Sequence, residues 1–195
     1  MSISPRRRAQ LGLLAAFVVL SAAASTLLLV PRYSRPVEVA DIGTDAPDFQ
    51  LNDQYGQART LSRHRGQAVV LFFCSSDSPL SIEYTGRVER LARKYTGDAR
   101  VQFLGLNILA DGAPERFEPE LNDPEFPMLI DHNAAVATRY SARALPMVVV
   151  IDPNGVVRYR GPFDNHPDVA FATHSYCAEV LGDILESSTL AVAGK

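Results

Sequence analysis

Ala68–Pro79 reads AVVLFFCSSDSP, and the fold is decided here. Ala68–Cys74 is an unbroken apolar run, the pattern of a central strand covered on both faces. Ser75-Ser76-Asp77 ends the run. Ser78 is a good helix N-cap, and Pro79 is a good first helical residue. Tyr84, Val88, Leu91 and Tyr95 then recur at steps of four, three and four, which lays one apolar face along a helix. A buried strand that delivers a polar loop to a helix start is the nucleus of an α/β domain.

Working outward, Phe49–Leu51 and Ala58–Leu61 read as short strands around the turn Tyr55-Gly56. Arg100–Ile108 is the next strand, Pro114–Leu121 a short acidic helix, Phe126–Asp131 a further strand and Ala134–Tyr140 a short helix. Met147–Asp152 and Val156–Arg160 flank the turn Asp152-Pro153-Asn154-Gly155 as a hairpin. A last helix is expected near Ser175–Ser187, with Tyr176, Val180, Ile184 and Leu185 facing inward. Phe103, Leu104, Leu106, Val148, Val149 and Val150 are core. Helices alternating with apolar strands predict a central sheet with helices on both faces.

The chain has 195 residues, enough for one globular domain and little more. Its 47% hydrophobic and 21% charged residues exclude a collagen-like fibre, wholesale disorder and a polytopic membrane protein. Residues 1–36 hold five arginines and no acid. The rest of the chain has 14 basic and 22 acidic residues, a net of −8. So acidic a domain is a poor nucleic-acid binder, and no nucleic-acid partner is expected.

The five arginines bracket Leu11–Val30, twenty uncharged residues, about the length of a membrane-crossing helix. Two readings compete. One is an uncleaved signal-anchor helix. The other is a cleaved signal peptide with Ala22-Ala23-Ala24 as the small-residue site. Thr26–Val30 continues the apolar run past that site, which favours the anchor. The paired arginines also resemble a twin-arginine signal. Arg6–Arg8 would stay cytoplasmic, leaving the domain on the periplasmic or extracytoplasmic side of the membrane. The expected order is a basic tail at 1–10, a transmembrane helix at 11–30, a tether at 31–40, the domain at 41–187 and a tail at 188–195.

The chain resembles the thioredoxin-like superfamily, and within it the redoxins of the alkyl hydroperoxide reductase and thiol-specific antioxidant type, the peroxiredoxin-like proteins. The resemblance rests on Ile42-Gly43-x-x-Ala46-Pro47-x-Phe49-x-Leu51, Tyr55-Gly56, Leu61-Ser62 and Gly66-Gln67. Val69–Phe73 resembles the strand leading to the active-site loop, and Asp77-Ser78-Pro79-Leu80-Ser81 resembles the helix start where the family carries Cys-Pro. Leu145-Pro146 before Met147–Ile151 resembles the family's cis-proline segment, and Tyr159-Arg160-Gly161 its hairpin. The resemblance implies a mixed central sheet and a thiol-dependent oxidoreductase or antioxidant activity, reducing peroxides or disulfides. No cofactor is implied. It also places the family nucleophile at Ser78.

That placement sets the chemistry. A helix N-terminus lowers a thiol pKa, because unsatisfied N–H groups present partial positive charge. An alcohol there stays protonated and forms neither sulfenic acid nor disulfide. Serine as an acyl-transfer nucleophile would need a base, and His64, His132, His166 and His174 have no motif spacing to Ser78. Cys74 is the remaining redox candidate, with a buried structural thiol as its competitor. Cys177 reads as packing. Cys74-x-x-x-Ser78-Pro79 echoes a copper-chaperone spacing with one ligand missing, and no metal site is expected. Two cysteines cannot build a disulfide scaffold or a four-thiolate zinc site. Asp131 and His132 are expected to start a turn or cap the following helix. A groove around Ser75, Asp77, Ser78, Pro79, Arg143 and Pro146 would serve catalysis in an active redoxin. In a non-catalytic module with a degenerate active site it would hold a protein or an extended peptide.

Overall fold

The computed structural model describes residues 39–109 and 124–193. The expected anchor at 11–30, its basic tail and the acidic helix at 114–121 lie outside the described residues. Among the described residues no helix is long and apolar enough to cross a membrane.

Strands β1 (Gln50–Asn52) and β2 (Ala58–Thr60) form a small antiparallel ribbon, followed by a 3-10 turn at Leu61–His64. Among the described residues the main sheet has five strands: β3 (Ala68–Cys74), β4 (Val101–Leu109), β5 (Met128–His132), β6 (Met147–Ile151) and β7 (Val157–Gly161). Their spatial order is β5-β4-β3-β6-β7. β3 runs parallel to β4, and β4 to β5, while β6 is antiparallel to both β3 and β7. The sheet is therefore mixed, with the apolar run Ala68–Cys74 at its centre. Among the described residues the helices are α1 (Pro79–Arg93), α2 (Ala135–Arg139) and α3 (Tyr176–Ala193).

Alternation along β3 divides the core. Val69, Leu71 and Phe73 join Phe49, Leu61, Val136, Ala137 and Tyr140 on one face. Ala68, Val70, Phe72 and Cys74 join Tyr84, Val88 and Leu91 of α1 and Cys177, Leu181 and Leu185 of α3 on the other. Every residue of β3 is buried, as an unbroken apolar strand requires.

Two details of the last helix differ from expectation. It continues past Ser187 to Ala193. Its fully buried stripe is Cys177, Leu181 and Leu185, at steps of four, whereas Tyr176, Val180 and Ile184 are half-buried flanks. A wide apolar stripe leaves the centre of the buried face ambiguous in sequence, and the packing against Phe72 and Val150 selects it. Asp131 does cap α2: its carboxylate accepts the N–H groups of Val136 and Ala137 at 3.0 and 2.8 Å. His132, beside it, is exposed.

Candidate functional site

The site is assembled where β3 hands over to α1. Ser78 is the N-cap, extended at φ −103° and ψ 115°, and Pro79 opens the helix. The Ser78 hydroxyl accepts the Ser81 N–H at 3.3 Å. This satisfies one of the orphan amides that every helix start leaves. Ser78 is half-buried and Asp77 and Pro79 are exposed.

Two residues outside the expected site hold the loop in place. Buried Ser81 accepts the Ser75 N–H at 3.2 Å on its hydroxyl. Buried Asn107, on the neighbouring strand, accepts the Ser76 N–H at 2.9 Å and donates to the Ser76 hydroxyl at 3.3 Å. The signal for Asn107 was present: it is a polar residue inside the apolar run Phe103–Leu109, and a buried amide needs partners.

The opposite wall comes from the segment before β6. The Leu145–Pro146 bond is cis. The register pairs Phe73 with Met147, so Pro146 lies beside the end of β3 at the same edge of the sheet as the Ser75–Ser78 loop. Arg143, three residues earlier, is exposed. The fold thus brings Ser75, Asp77, Ser78, Pro79 and Pro146 to one end of the sheet.

Cys74 belongs to the core instead. Its side chain points to the α1 and α3 face, is 3% exposed, and donates its thiol to the Leu106 carbonyl at 3.7 Å. Burial pushes the thiol up to about 12. A redox nucleophile needs the thiolate, so this environment disfavours Cys74 in that role. Of the two readings open for Cys74, its burial favours the structural thiol: the strand's alternation turns it inward. Cys177 is fully buried in the same cluster and is likewise pushed to about 12 by burial. Both are free thiols.

Three histidines are occupied away from Ser78. His64 bonds Gln67, His166 bonds the backbone of Asp168, and His174 bonds Glu179 at 2.8 Å. Among the described residues no group of three or more His, Cys, Asp or Glu side chains is placed to hold a metal ion.

The chain is similar to several known proteins, thiol-disulfide oxidoreductases among them. It is 30% identical over 155 residues to the thiol-disulfide oxidoreductase ResA of Geobacillus kaustophilus (strain HTA426), covering 74% of this chain and 82% of that protein. It is 25% identical over 122 residues to the methylamine utilization protein MauD of Paracoccus versutus, covering 62% of this chain and 58% of that protein. Among solved structures, an uncharacterized conserved protein from Geobacillus kaustophilus superposes with a TM-score of 0.66 at 23% identity, over 75% of this chain and 83% of that one. A thiol-disulfide oxidoreductase from Bacteroides fragilis NCTC 9343 gives a TM-score of 0.55 at 21% identity, over 61% and 90%. These superpositions show the thioredoxin-like fold. A family model described as AhpC/TSA matches residues 42–160, and the chain belongs to the AhpC/TSA family of redoxins.

Proposed function

We propose that this domain is a redoxin that has kept the family's scaffold and lost its thiol chemistry, so that it works as a binding module. The observation that carries the reading is the separation of thiols from site. The chain has two cysteines, both sealed in the core, while Ser78 caps the helix at the position that the family resemblance assigns to the nucleophile. A serine hydroxyl at a helix start stabilises the helix and supplies no thiolate.

What remains is a surface suited to a partner protein or an extended peptide. Pro146 forms one wall. Leu80 and Ile82 leave large apolar side chains exposed at the start of α1, close in sequence to Ser78. Residues 11–30 serve as the membrane anchor, and the domain works on the extracytoplasmic side within a short tether of the bilayer.

The test is a peroxide and disulfide reductase assay on the full chain, comparing wild type, Cys74→Ser and Ser78→Cys. No turnover in wild type, with activity appearing in Ser78→Cys, is the expected result. Turnover in wild type that vanishes in Cys74→Ser would replace this reading with an active oxidoreductase. Reporter fusions after residue 36 and at the C-terminus test the membrane topology.

A further inference from the structure

A second concavity lies away from Ser78, between the later turns of α1 and the segment that joins β7 to α3. It holds about 370 Å³, the size range of small-molecule sites. One wall carries Arg87, Arg90 and Lys94 of α1. The other carries Val169, Ala172 and His174, over a floor that includes Leu91, Phe163 and Ala178.

The charges among its lining residues are unbalanced, and Asp168, beside Val169, turns its carboxylate to the Ala170 N–H at 2.8 Å. Asp164 is the acidic residue in the lining, and it is consumed: its carboxylate accepts from Arg87 at 2.7 Å and from the Tyr84 hydroxyl at 2.9 Å. Glu179, nearby, is engaged by His174. Arg87 also reaches Glu83 and the carbonyls of His166 and Pro167 through its two terminal nitrogens. Its Nε is buried with no hydrogen-bond partner, a state that few buried donors in proteins tolerate. Arg90 and Lys94, one helical turn apart, are exposed and have no counter-ion among the described ion pairs. In a domain with a net charge of −8 this is a local reversal of sign.

We propose that this groove binds a small amphipathic carboxylate, with its acid on Arg90 and Lys94 and its apolar body on Leu91, Val169 and Ala172. A carboxylate accepts from a guanidinium in planar, paired geometry, and the volume has room for an apolar body of one ring or more. Exposed Val169, 55% accessible, would be covered by such a body. Cations in the last turn of α1 also complement the helix dipole, but that role is shared by Arg93, which is outside the groove and paired with Glu89 and Glu125.

The test uses fluorine NMR titration of 4-(4-fluorophenyl)butyrate into the full chain in nanodiscs, with empty nanodiscs subtracted. The alcohol and amine of the same body are titrated alongside. The carboxylate should bind at least tenfold more tightly than the alcohol, and the amine more weakly than either. Arg90→Glu with Lys94→Glu should erase the carboxylate's advantage, whereas Arg93→Glu should leave it. Raising salt from 50 to 500 mM should weaken the acid and spare the alcohol, a readout that needs no variant. Equal binding of acid and alcohol, equal effects of the two sets of reversals, or no binding above the empty nanodisc would overturn the proposal.

Discussion

The start of α1 and the centre of the sheet divide between them what a working redoxin keeps together. At the start of α1 the backbone offers a helix N-terminus, a cis-proline neighbour and a half-exposed side chain, but the side chain is Ser78. At the centre of the sheet lies Cys74, and against it on α3 lies Cys177, both thiols in surroundings that keep them protonated. The field that would ionise a thiol and the thiols themselves are only four residues apart in sequence at Cys74 and Ser78. The pleat of β3 is what separates them, because it turns Cys74 toward Val88 and Leu181. Proximity along a chain therefore says little about reactivity; the face of the strand decides it.

The comparison breaks most sharply on thiol labelling. A thiol near 12 is about one part in 10⁵ thiolate at pH 7, whereas an ordinary thiol near 8.5 is about 3% thiolate. Native wild type should therefore be silent to iodoacetamide and take up two equivalents only after unfolding. Ser78→Cys should gain one fast-reacting thiol, at least about 1,000-fold faster than Cys74 or Cys177. Native labelling of Cys74 at a comparable rate would end the contrast between the two regions.

A mutation in the segment after β7, facing α1, tests whether the site depends on the core face that holds the thiols. Arg87 and Asp164 form a buried ion pair, with side chains 3% and 5% exposed, and the Arg87 guanidinium lies 4.2 Å from the centre of the Tyr84 ring. The pair fastens α1 to the segment after β7. Asp164→Ala strands a buried cation and should cost about 3–5 kcal/mol in urea unfolding. A loss below about 1 kcal/mol would show that α1 is held by its apolar face alone.

Alkaline titration sharpens the same contrast from the side of the thiols. Cys74 and Cys177 both rise from 9.0 to about 12 on folding, and Tyr84 rises from 10.0 to about 12, through burial first and its bond to Asp164 second. A raised pKa means that the native state holds protons which the unfolded chain has already lost. The stabilisation from these groups is complete below about pH 9 and is lost as pH climbs toward 12. Each thiol steepens the decline by up to about 1.4 kcal/mol per pH unit. Cys177→Ala should make the alkaline limb shallower while lowering stability at pH 7. An unchanged limb would mean that the thiols ionise normally and are less sealed than the packing indicates.

Much of this architecture was legible because it is local. β3 announced itself as an unbroken apolar run, and α1 through Ser78-Pro79 and the stripe Tyr84, Val88, Leu91. The capping role of Asp131 could be read from its place before a short helix. The pins of the site could not. Asn107 reaches Ser76 across thirty-one positions, and Arg87 reaches Asp164 across seventy-seven, so nothing in the local pattern links them. The inward turn of Cys74 needed the register of β3 against β4 and β6, which decides which alternate residues meet α1 and α3. The resemblance supplied the cis-proline, which spacing alone does not give.

The smallest effect concerns Ser78 itself. If its work is to cap α1, then Ser78→Ala removes the acceptor for the Ser81 N–H and should cost about 1 kcal/mol. Ser78→Asp keeps an acceptor, places negative charge at the positive end of the helix, and should be neutral or stabilising. Ser78→Gly should fall between wild type and alanine, since glycine at this position costs only a few tenths of a kcal/mol. That order, read from urea midpoints at constant slope, is the signature of a cap. An alanine variant as stable as wild type would break the assignment, because the hydroxyl would then have been retained for something other than the helix it starts.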